Sequence, residues 1–426
     1  FRNQVERGVR VRVSANDVVS TPRNRARICG AFETLVRAIR EESPDYRHGM
    51  LYRDASRKLF ALVKSVVGDF ISAGEMDALV EFHFKSCVRR LGMPSLEAIS
   101  LECGSSSQLA QAAESFADMV AELPVRIIFR LPLFGAVLPE PGALDVEIPG
   151  DSVRFSARKI ESGQPREVTH SLTAEVALRG IPLGGLHNEV QSRALDQLKV
   201  CLAIGFLTGE IKQAPHWLSP PARLEAPSVR IESPAGYDFA GSGVPSSHPT
   251  VLTYLCNLFL TKKRVGLSAA FRDFEFPIFI QCLAGADPVE EGRISASLQW
   301  LFDSYAANDT TSRFLSIVFC IEALLSDEIG SPSRSVTDVV SDRLAVLTGS
   351  DQADRKKIRD GMRKAYSVRS KLVHGEKRRI SPTDFDEYYS AVDIQARRAL
   401  AETFRRLGEG SRERFSAGLD LPAMKR

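Results

Sequence analysis

Apolar residues recur at spacings of three and four almost without interruption from residue 289 to residue 407. This is the period of an amphipathic α-helix, whereas a half-buried strand would alternate every second residue. Four helical units can be distinguished, and short polar segments separate them. Because a helix with one apolar face must bury that face against a neighbour, an all-α bundle is the natural packing. We therefore predict a C-terminal helical domain over residues 289–410.

Capping residues mark where two of these units begin. Asp309 or Thr310 can cap the second unit, "TSRFLSIVFCIEALLSDE". The third unit consists of "SVTDVVSDRLAVLTG" followed by "DQADRKKIRDGMRKAYSVRSKLVHG". The last unit begins "SPTDF", in which Ser381 fits the N-cap, Pro382 the first helical position and Asp384 the first turn. These signals predict the starts of the second and the last helical units.

The remainder of the chain divides into regions that differ in hydrophobic pattern and in composition. Residues 1–123 are mostly helical in pattern, and residues 124–213 carry short β-type runs between Gly, Pro and Asp, followed by a helix. Residues 214–250 hold seven of the 22 prolines, which is typical of a loop or linker. Residues 251–288 are predicted to form a connecting helical segment, and residues 411–426 a flexible tail. The predicted fold class is multidomain and mainly α, with an α+β N-terminal region that contains a small antiparallel sheet.

Several function classes are disfavoured by missing motifs. The sequence has no GxxxxGK[ST] loop, no strand-linked GxGxxG, no HExxH, no GxSxG elbow and no EF-hand loop. The seven cysteines form no CxxC pair or zinc spacing, which indicates buried thiols in a reducing compartment. No apolar run approaches the roughly eighteen residues that a membrane helix needs. We therefore expect a cytoplasmic protein with no metal, no cofactor and no membrane segment.

Positive charge is concentrated in one stretch of the C-terminal domain. Residues 351–380 contain eleven Lys or Arg against four Asp or Glu, whereas the whole chain has a net charge of only +3. The rest of the protein is therefore net negative. A partner with negative charge would be attracted to this stretch rather than to the protein as a whole.

Within this stretch, an arginine occupies an apolar position of a predicted helix. The apolar face consists of Ile358, Met362, Ala365, Arg369 and Leu372. An unpaired charge in a buried position costs several kcal/mol, so the guanidinium must be paired or must reach water. The preceding unit is apolar nearly all round between residues 314 and 325, with Glu322 as its one charge. Glu322 is therefore the predicted partner of Arg369.

A second, polar face of the same helix ends on a histidine. It consists of Lys356, Arg359, Arg363, Ser367, Ser370 and His374. The residues predicted to contact phosphates are Lys356, Arg359, Arg363 and Lys371. Gly375 fits the position after the helix end, where a left-handed residue terminates the helix at low cost. Purely structural roles for these residues stay open. A basic face can simply be solvated, and a histidine at a helix C-terminus can interact favourably with the negative end of the helix dipole.

The segment "YSVRSKLVHG", late in a helix of a C-terminal helical domain, resembles the motif of the HEPN superfamily, and most closely its Apea-like branch. In that branch a Y-x-x-R-S-x-x-V-H-G motif ends the third helix, and an apolar second helix carries a Glu in a context like "CIEALL". The matching motif residues are Tyr366, Arg369, Ser370, Val373, His374 and Gly375. The resemblance covers residues 289–407 and implies a HEPN-like four-helix bundle.

This resemblance implies a metal-independent endoribonuclease of prokaryotic antiviral defence or of a toxin or abortive-infection system. Such domains usually form homodimers in which two motifs face each other across one cleft. By resemblance, Arg369 and His374 are the catalytic pair. Glu322, Ser370 and Tyr366 are then supporting residues, with Glu322 orienting Arg369. Other members are inactive, so the alternative is a non-catalytic scaffold that binds nucleic acid or a protein partner.

The chemistry of these residue types agrees with RNA cleavage. Attack by the RNA's own 2′-hydroxyl needs a group that moves a proton near pH 7, which is histidine's range. It also needs a cation for the charge that develops on the phosphate, and guanidinium suits that role. However, residues five apart in an ideal helix point about 140° away from each other. Convergence of Arg369 and His374 on one phosphate therefore requires a loosened last turn, a long reach of the arginine or a second subunit.

Overall fold

The structure is a computed structural model, and it describes part of the chain. The described residues are 21–41, 50–67, 79–80, 83, 106–123, 125–133, 136–137, 143–148, 151–161, 168–180, 189–208, 212–213, 228–232, 276–307, 309–326 and 335–408. Most of the predicted linker and of the connecting segment, and the whole predicted tail from 411 to 426, lie outside these residues. The chain forms two compact units.

Three helices of the first unit correspond to the region predicted to be helical. They are α1 (Pro22–Glu41), α2 (Met50–Val67) and α3 (Ser106–Glu122). The rings of Phe32 and Phe116 stack with centroids 4.6 Å apart. His83 approaches both rings edge-on and lies 3.0 Å from the carbonyl oxygen of Ala112 through its Nε2. Aromatic rings therefore contribute to the core of this unit, together with aliphatic side chains such as Ile28 and Leu35.

A small sheet follows α3 in the sequence. Its strands are β1 (Val125–Leu133), β3 (Ala143–Ile148), β4 (Asp151–Glu161), β5 (Val168–Gly180) and β7 (Ser228–Glu232), in the spatial order β3-β4-β5-β1-β7. Strands β3 and β4 are antiparallel, with Ala143 opposite Ser156 and Ile148 opposite Asp151. A separate two-stranded pair joins β2 (Ala136–Val137) and β6 (Lys212–Gln213). The predicted mainly helical chain with a small antiparallel sheet is confirmed.

The C-terminal region is helical. Its helices are α5 (Phe276–Ala284), α6 (Pro288–Ala306), α7 (Thr310–Leu325), α8 (Val336–Thr348), α9 (Gln352–Val373) and α10 (Pro382–Gly408), and they follow α4 (Glu189–Thr208). The fully buried side chains Phe302, Phe314 and Phe404 belong to α6, α7 and α10. Phe279 of α5 packs edge-on against Phe404 with centroids 4.4 Å apart. No helix among the described residues is long and apolar enough to cross a membrane.

The caps predicted from the sequence are present. Of the two candidates before α7, Asp309 is the N-cap, and its carboxylate accepts from the N–H of Ser312 at 2.9 Å. The hydroxyl oxygen of Ser381 accepts from the N–H of Asp384 at 3.1 Å, and α10 begins at Pro382 as predicted.

The third predicted unit is two helices, so the described residues from 288 to 408 form five helices and not four. Helix α8 ends at Gly349, where a Cβ atom would lie 2.6 Å from the carbonyl oxygen of Ala345 and 2.5 Å from Cγ of Arg355. Asp351 then caps α9 by accepting from the N–H of Asp354 at 2.9 Å. Because only glycine fits this close approach, α8 can turn directly into α9.

Candidate functional site

The predicted ion pair between α9 and α7 is present. Nη2 of Arg369 lies 3.2 Å from Oε2 and 3.5 Å from Oε1 of Glu322. Their side chains are 22% and 23% exposed, so the pair is mostly buried but reaches solvent. Arg369 thus occupies its apolar position on α9 because Glu322 compensates its charge.

An aromatic ring supports the same guanidinium. Cζ of Arg369 lies 5.1 Å from the ring centroid of Phe319, within the range of a cation–π interaction. Phe319 in turn packs against the half-exposed Trp300 of α6, with ring centroids 5.0 Å apart. Sequence reasoning missed Phe319, although it lies three residues before Glu322 and hence on the same face of α7.

Two further arginines hold the end of the helix that carries Glu322. Nη2 of Arg293 donates to the carbonyl oxygen of Leu324 at 2.5 Å, and Nη1 of Arg343 donates to that of Leu325 at 2.8 Å. These carbonyls have no partner within the helix, and cations near a helix C-terminus are favourable. Glu322 therefore lies on a last turn that α6 and α8 both fix. No sequence signal predicted these contacts.

Tyr366, a motif residue, is buried beside the ion pair. Its hydroxyl has no hydrogen-bond partner among the described residues. Burial raises the pKa of Tyr366, and the negative charge of Glu322 raises it further. The phenol therefore stays neutral and keeps an unused O–H donor next to the charged pair.

His374 is exposed at the end of α9. The backbone N–H of His374 donates to the carbonyl oxygen of Ser370 at 2.9 Å, which is the regular helical hydrogen bond. Gly375 follows with a φ of +78°, so the predicted left-handed helix end is confirmed. The last turn is not loosened, and one of the three routes by which Arg369 and His374 could converge is absent.

The structure does not bring these two side chains together within one chain. Arg369 is directed to α7 by Glu322 and Phe319, and His374 is exposed at the far end of the same helix. A regular helix separates residues five apart by about 140° around its axis. The second route, a long reach of Arg369, would break its contacts with α7.

The predicted basic face of α9 is partly neutralised by α8. Nε of Arg359 lies 2.5 Å from Oδ1 of Asp342, and Nη2 of Arg363 lies 2.8 Å from Oδ1 of Asp338. Lys356 and Lys371 are exposed. Binding of phosphate by the two arginines stays a prediction, but a phosphate would have to displace these carboxylates. Their position favours a role in fastening α8 to α9.

A buried polar cluster that the sequence did not indicate joins α6 to α10. The hydroxyl of Tyr305 donates to Oδ1 of Asp393 at 3.0 Å, and Arg397 forms an ion pair with the same carboxylate. All three residues are buried. Burial raises the pKa of Tyr305, and the neighbouring Asp393 carboxylate raises it further. The cluster keeps its charges compensated inside the bundle.

The fold defines a mainly helical protein whose C-terminal bundle holds a partly buried arginine–glutamate pair near an exposed, helix-terminating histidine. No match was found to a protein-family model, to a curated protein or to a solved structure.

Proposed function

We propose that the C-terminal bundle is a HEPN-like endoribonuclease that cleaves RNA without a metal ion, with Arg369 and His374 as catalytic residues. The observation that carries the proposal is the placement of Arg369, whose guanidinium is fixed by Glu322 and Phe319 and still reaches solvent. A fixed cation stabilises developing charge better than a mobile one, because it needs no reorganisation during the reaction.

In this mechanism His374 moves the proton. The imidazole takes the proton of the 2′-hydroxyl as that oxygen attacks the adjacent phosphorus. The bond to the 5′-oxygen breaks, and the leaving 5′-oxygen takes up a proton from water. The products are a 2′,3′-cyclic phosphate and a strand with a 5′-hydroxyl. Glu322 occupies Nη2 of Arg369 and the Nε atom is buried, so the N–H donors of Nη1 are assigned to the phosphate oxygens in the transition state.

The active form in this proposal is a homodimer. Arg369 and His374 diverge on one α9, so a single chain does not present both to one phosphate. A second copy places its His374 opposite Arg369 of the first, and the reverse arrangement forms a second site by symmetry. Such an RNA nuclease suits prokaryotic antiviral defence, a toxin or an abortive-infection system.

The second candidate is a scaffold that binds nucleic acid or a protein without cleaving it. It is favoured by the engagement of Arg369 with α7 and by the neutralisation of Arg359 and Arg363. On this alternative, the Arg369–Glu322 pair is a clamp between helices. The two candidates differ in whether RNA is cut.

The test is incubation of the protein with mixed cellular RNA in EDTA, followed by analysis of the fragment ends. We expect 2′,3′-cyclic phosphate ends with wild-type protein and their loss with His374→Ala. The exposed Arg398 of α10 supplies a control, because Arg398→Ala should cut like wild type. Absence of cutting by concentrated wild-type dimer would favour the scaffold.

A further inference from the structure

Four exposed cations near His374 are Lys364, Lys371, Arg378 and Arg379. Of these, Lys371 belongs to the residues predicted from the sequence to contact phosphates, and the other three do not. In the described part of the chain, none of them forms an ion pair, whereas Arg359 and Arg363 do. Exposed positive charge without an ion pair among the described residues therefore lies on the C-terminal half of α9 and in the turn after it, and Lys356 and Lys357 are further such cations near the start of the helix.

Helix geometry places two of these cations on the side of His374. Lys364 and Lys371 are seven residues apart, which puts them within about 20° of each other and about 10.5 Å apart along the axis. His374 lies three residues beyond Lys371, on the neighbouring position of the same side. Arg369 is two residues before Lys371 and therefore projects to the opposite side, toward α7.

The turn that carries the other two cations is anchored at both ends. At its start, Gly375 has a φ of +78° and the N–H of Lys377 donates to the carbonyl oxygen of Lys371 at 2.9 Å. At its end, Ile380 is buried and its N–H donates to Oγ1 of Thr311 at 3.1 Å. Binding by side chains on a fixed backbone loses less conformational entropy.

We infer that the face formed by Lys364, Lys371, Arg378 and Arg379 binds the sugar-phosphate backbone of RNA and guides it to His374. The charges match a chain of phosphates, and Arg binds phosphate oxygens with two parallel hydrogen bonds. Glu376 is the one carboxylate within the turn, and Asp384 of α10 pairs with Lys377, so the face of four cations stays net positive. The inference rests on the proposed function, and it moves the backbone contacts away from Arg359 and Arg363.

The test measures how binding of a labelled oligouridylate of about twenty nucleotides depends on salt. In the variant with all four cations changed to Gln, the log–log slope should flatten by about two to three units, because each single-strand contact contributes about 0.7. The pairs Lys364→Gln/Lys371→Gln and Arg378→Gln/Arg379→Gln should each give about half of this change. Since all four residues are exposed, thermal unfolding should be unchanged.

The control is Arg23→Gln/Arg27→Gln on α1, which removes two exposed arginines that also have no ion pair among the described residues. This control should bind like wild type. An unchanged slope in the fourfold variant, no RNA binding by wild type, or equal loss in the control would overturn the inference. It would also be overturned if vesicles of phosphatidylserine and phosphatidylcholine, or a polyglutamate peptide, bound this face more tightly than RNA.

Failure of the proposed function gives a different result. In that case the wild-type protein binds oligouridylate with the expected salt dependence. The fourfold variant has the flatter log–log slope, but no His374-dependent cleavage is seen. The inference would then hold for a binding protein.

Discussion

Arg369 of α9 and Glu322 of α7 form an ion pair with 3.2 Å between Nη2 and Oε2. The pair joins α9 to α7, and the ring centroid of Phe319 lies 5.1 Å from Cζ of the same guanidinium. The arginine is thereby held on the bundle side of α9, away from His374. This relationship explains how the charge of Arg369 is stabilised and why Arg369 and His374 lie on different sides of α9.

Replacement of Glu322 tests the ion pair. Glu322→Ala should lower the free energy of unfolding by about 1–3 kcal/mol, less than for a fully buried pair because both side chains reach solvent. Glu322→Gln keeps a hydrogen-bond acceptor for Arg369 and should lower the free energy of unfolding by less. Urea denaturation measures both values. A Glu322→Ala variant as stable as wild type would show that the pair makes no net contribution.

His374→Ala separates catalysis from folding and binding. Cleavage should fall by about 10²- to 10⁴-fold, the usual contribution of a general acid or base. The melting temperature and the affinity for RNA should not change, because His374 is exposed and the cations around it remain. Single-turnover cleavage and fluorescence anisotropy measure the two effects. A variant that cuts at the wild-type rate would show that His374 is not catalytic and only interacts with the negative end of the helix dipole.

Mixing two inactive variants tests the composite site. Arg369→Ala and His374→Ala homodimers should each be inactive. A heterodimer of the two chains should regain up to half of the wild-type activity of a dimer, because one of its two composite sites is intact. Mixing after mild denaturation and refolding, with the rate followed over time, measures this. Continued inactivity of a verified heterodimer would contradict a site shared between two chains.

The neutralised arginines of α9 should act in stability rather than in RNA binding. Arg359→Gln/Arg363→Gln removes the ion pairs to Asp342 and Asp338, which are partly exposed and contribute about 0.2–1 kcal/mol each. We expect a slightly lower melting temperature and an unchanged salt dependence of RNA binding. A clearly flatter salt dependence of RNA binding would show that these two residues contact phosphates, as the sequence predicted.

The buried cluster around Asp393 should be sensitive to removal of one partner. Asp393→Ala removes the carboxylate that pairs with the buried Arg397 and accepts from the hydroxyl of Tyr305, and should cost about 3–5 kcal/mol. Asp393→Leu/Arg397→Met should cost less, although it removes more polar groups, because both charges of the pair are removed together. Chemical denaturation of the three proteins measures the difference. A double variant less stable than Asp393→Ala would contradict this explanation.

Local sequence determined the parts of this protein that depend on short-range physics. The helical period, the caps Asp309 and Ser381 and the left-handed Gly375 involve groups within a few residues of each other. One long-range contact, between Arg369 and Glu322, was also predictable, because Glu322 is the one charged residue of α7 between residues 314 and 325. The two segments that meet at Gly349 were counted as one helical unit, because the close approach of Gly349 to Arg355 in the next helix is visible only in the structure.

Only the tertiary structure decided how the helices are rotated and paired, and this changed the reading of the site. The acidic partners of Arg359 and Arg363 come from α8, and the arginines that cap α7 come from α6 and α8. Each of these contacts depends on the rotation of one helix against another, which the period of a single helix does not specify. The helical period already implied that Arg369 and His374 diverge by about 140° on one helix, whereas the packed bundle decided that Arg369 faces α7 and that His374 is exposed.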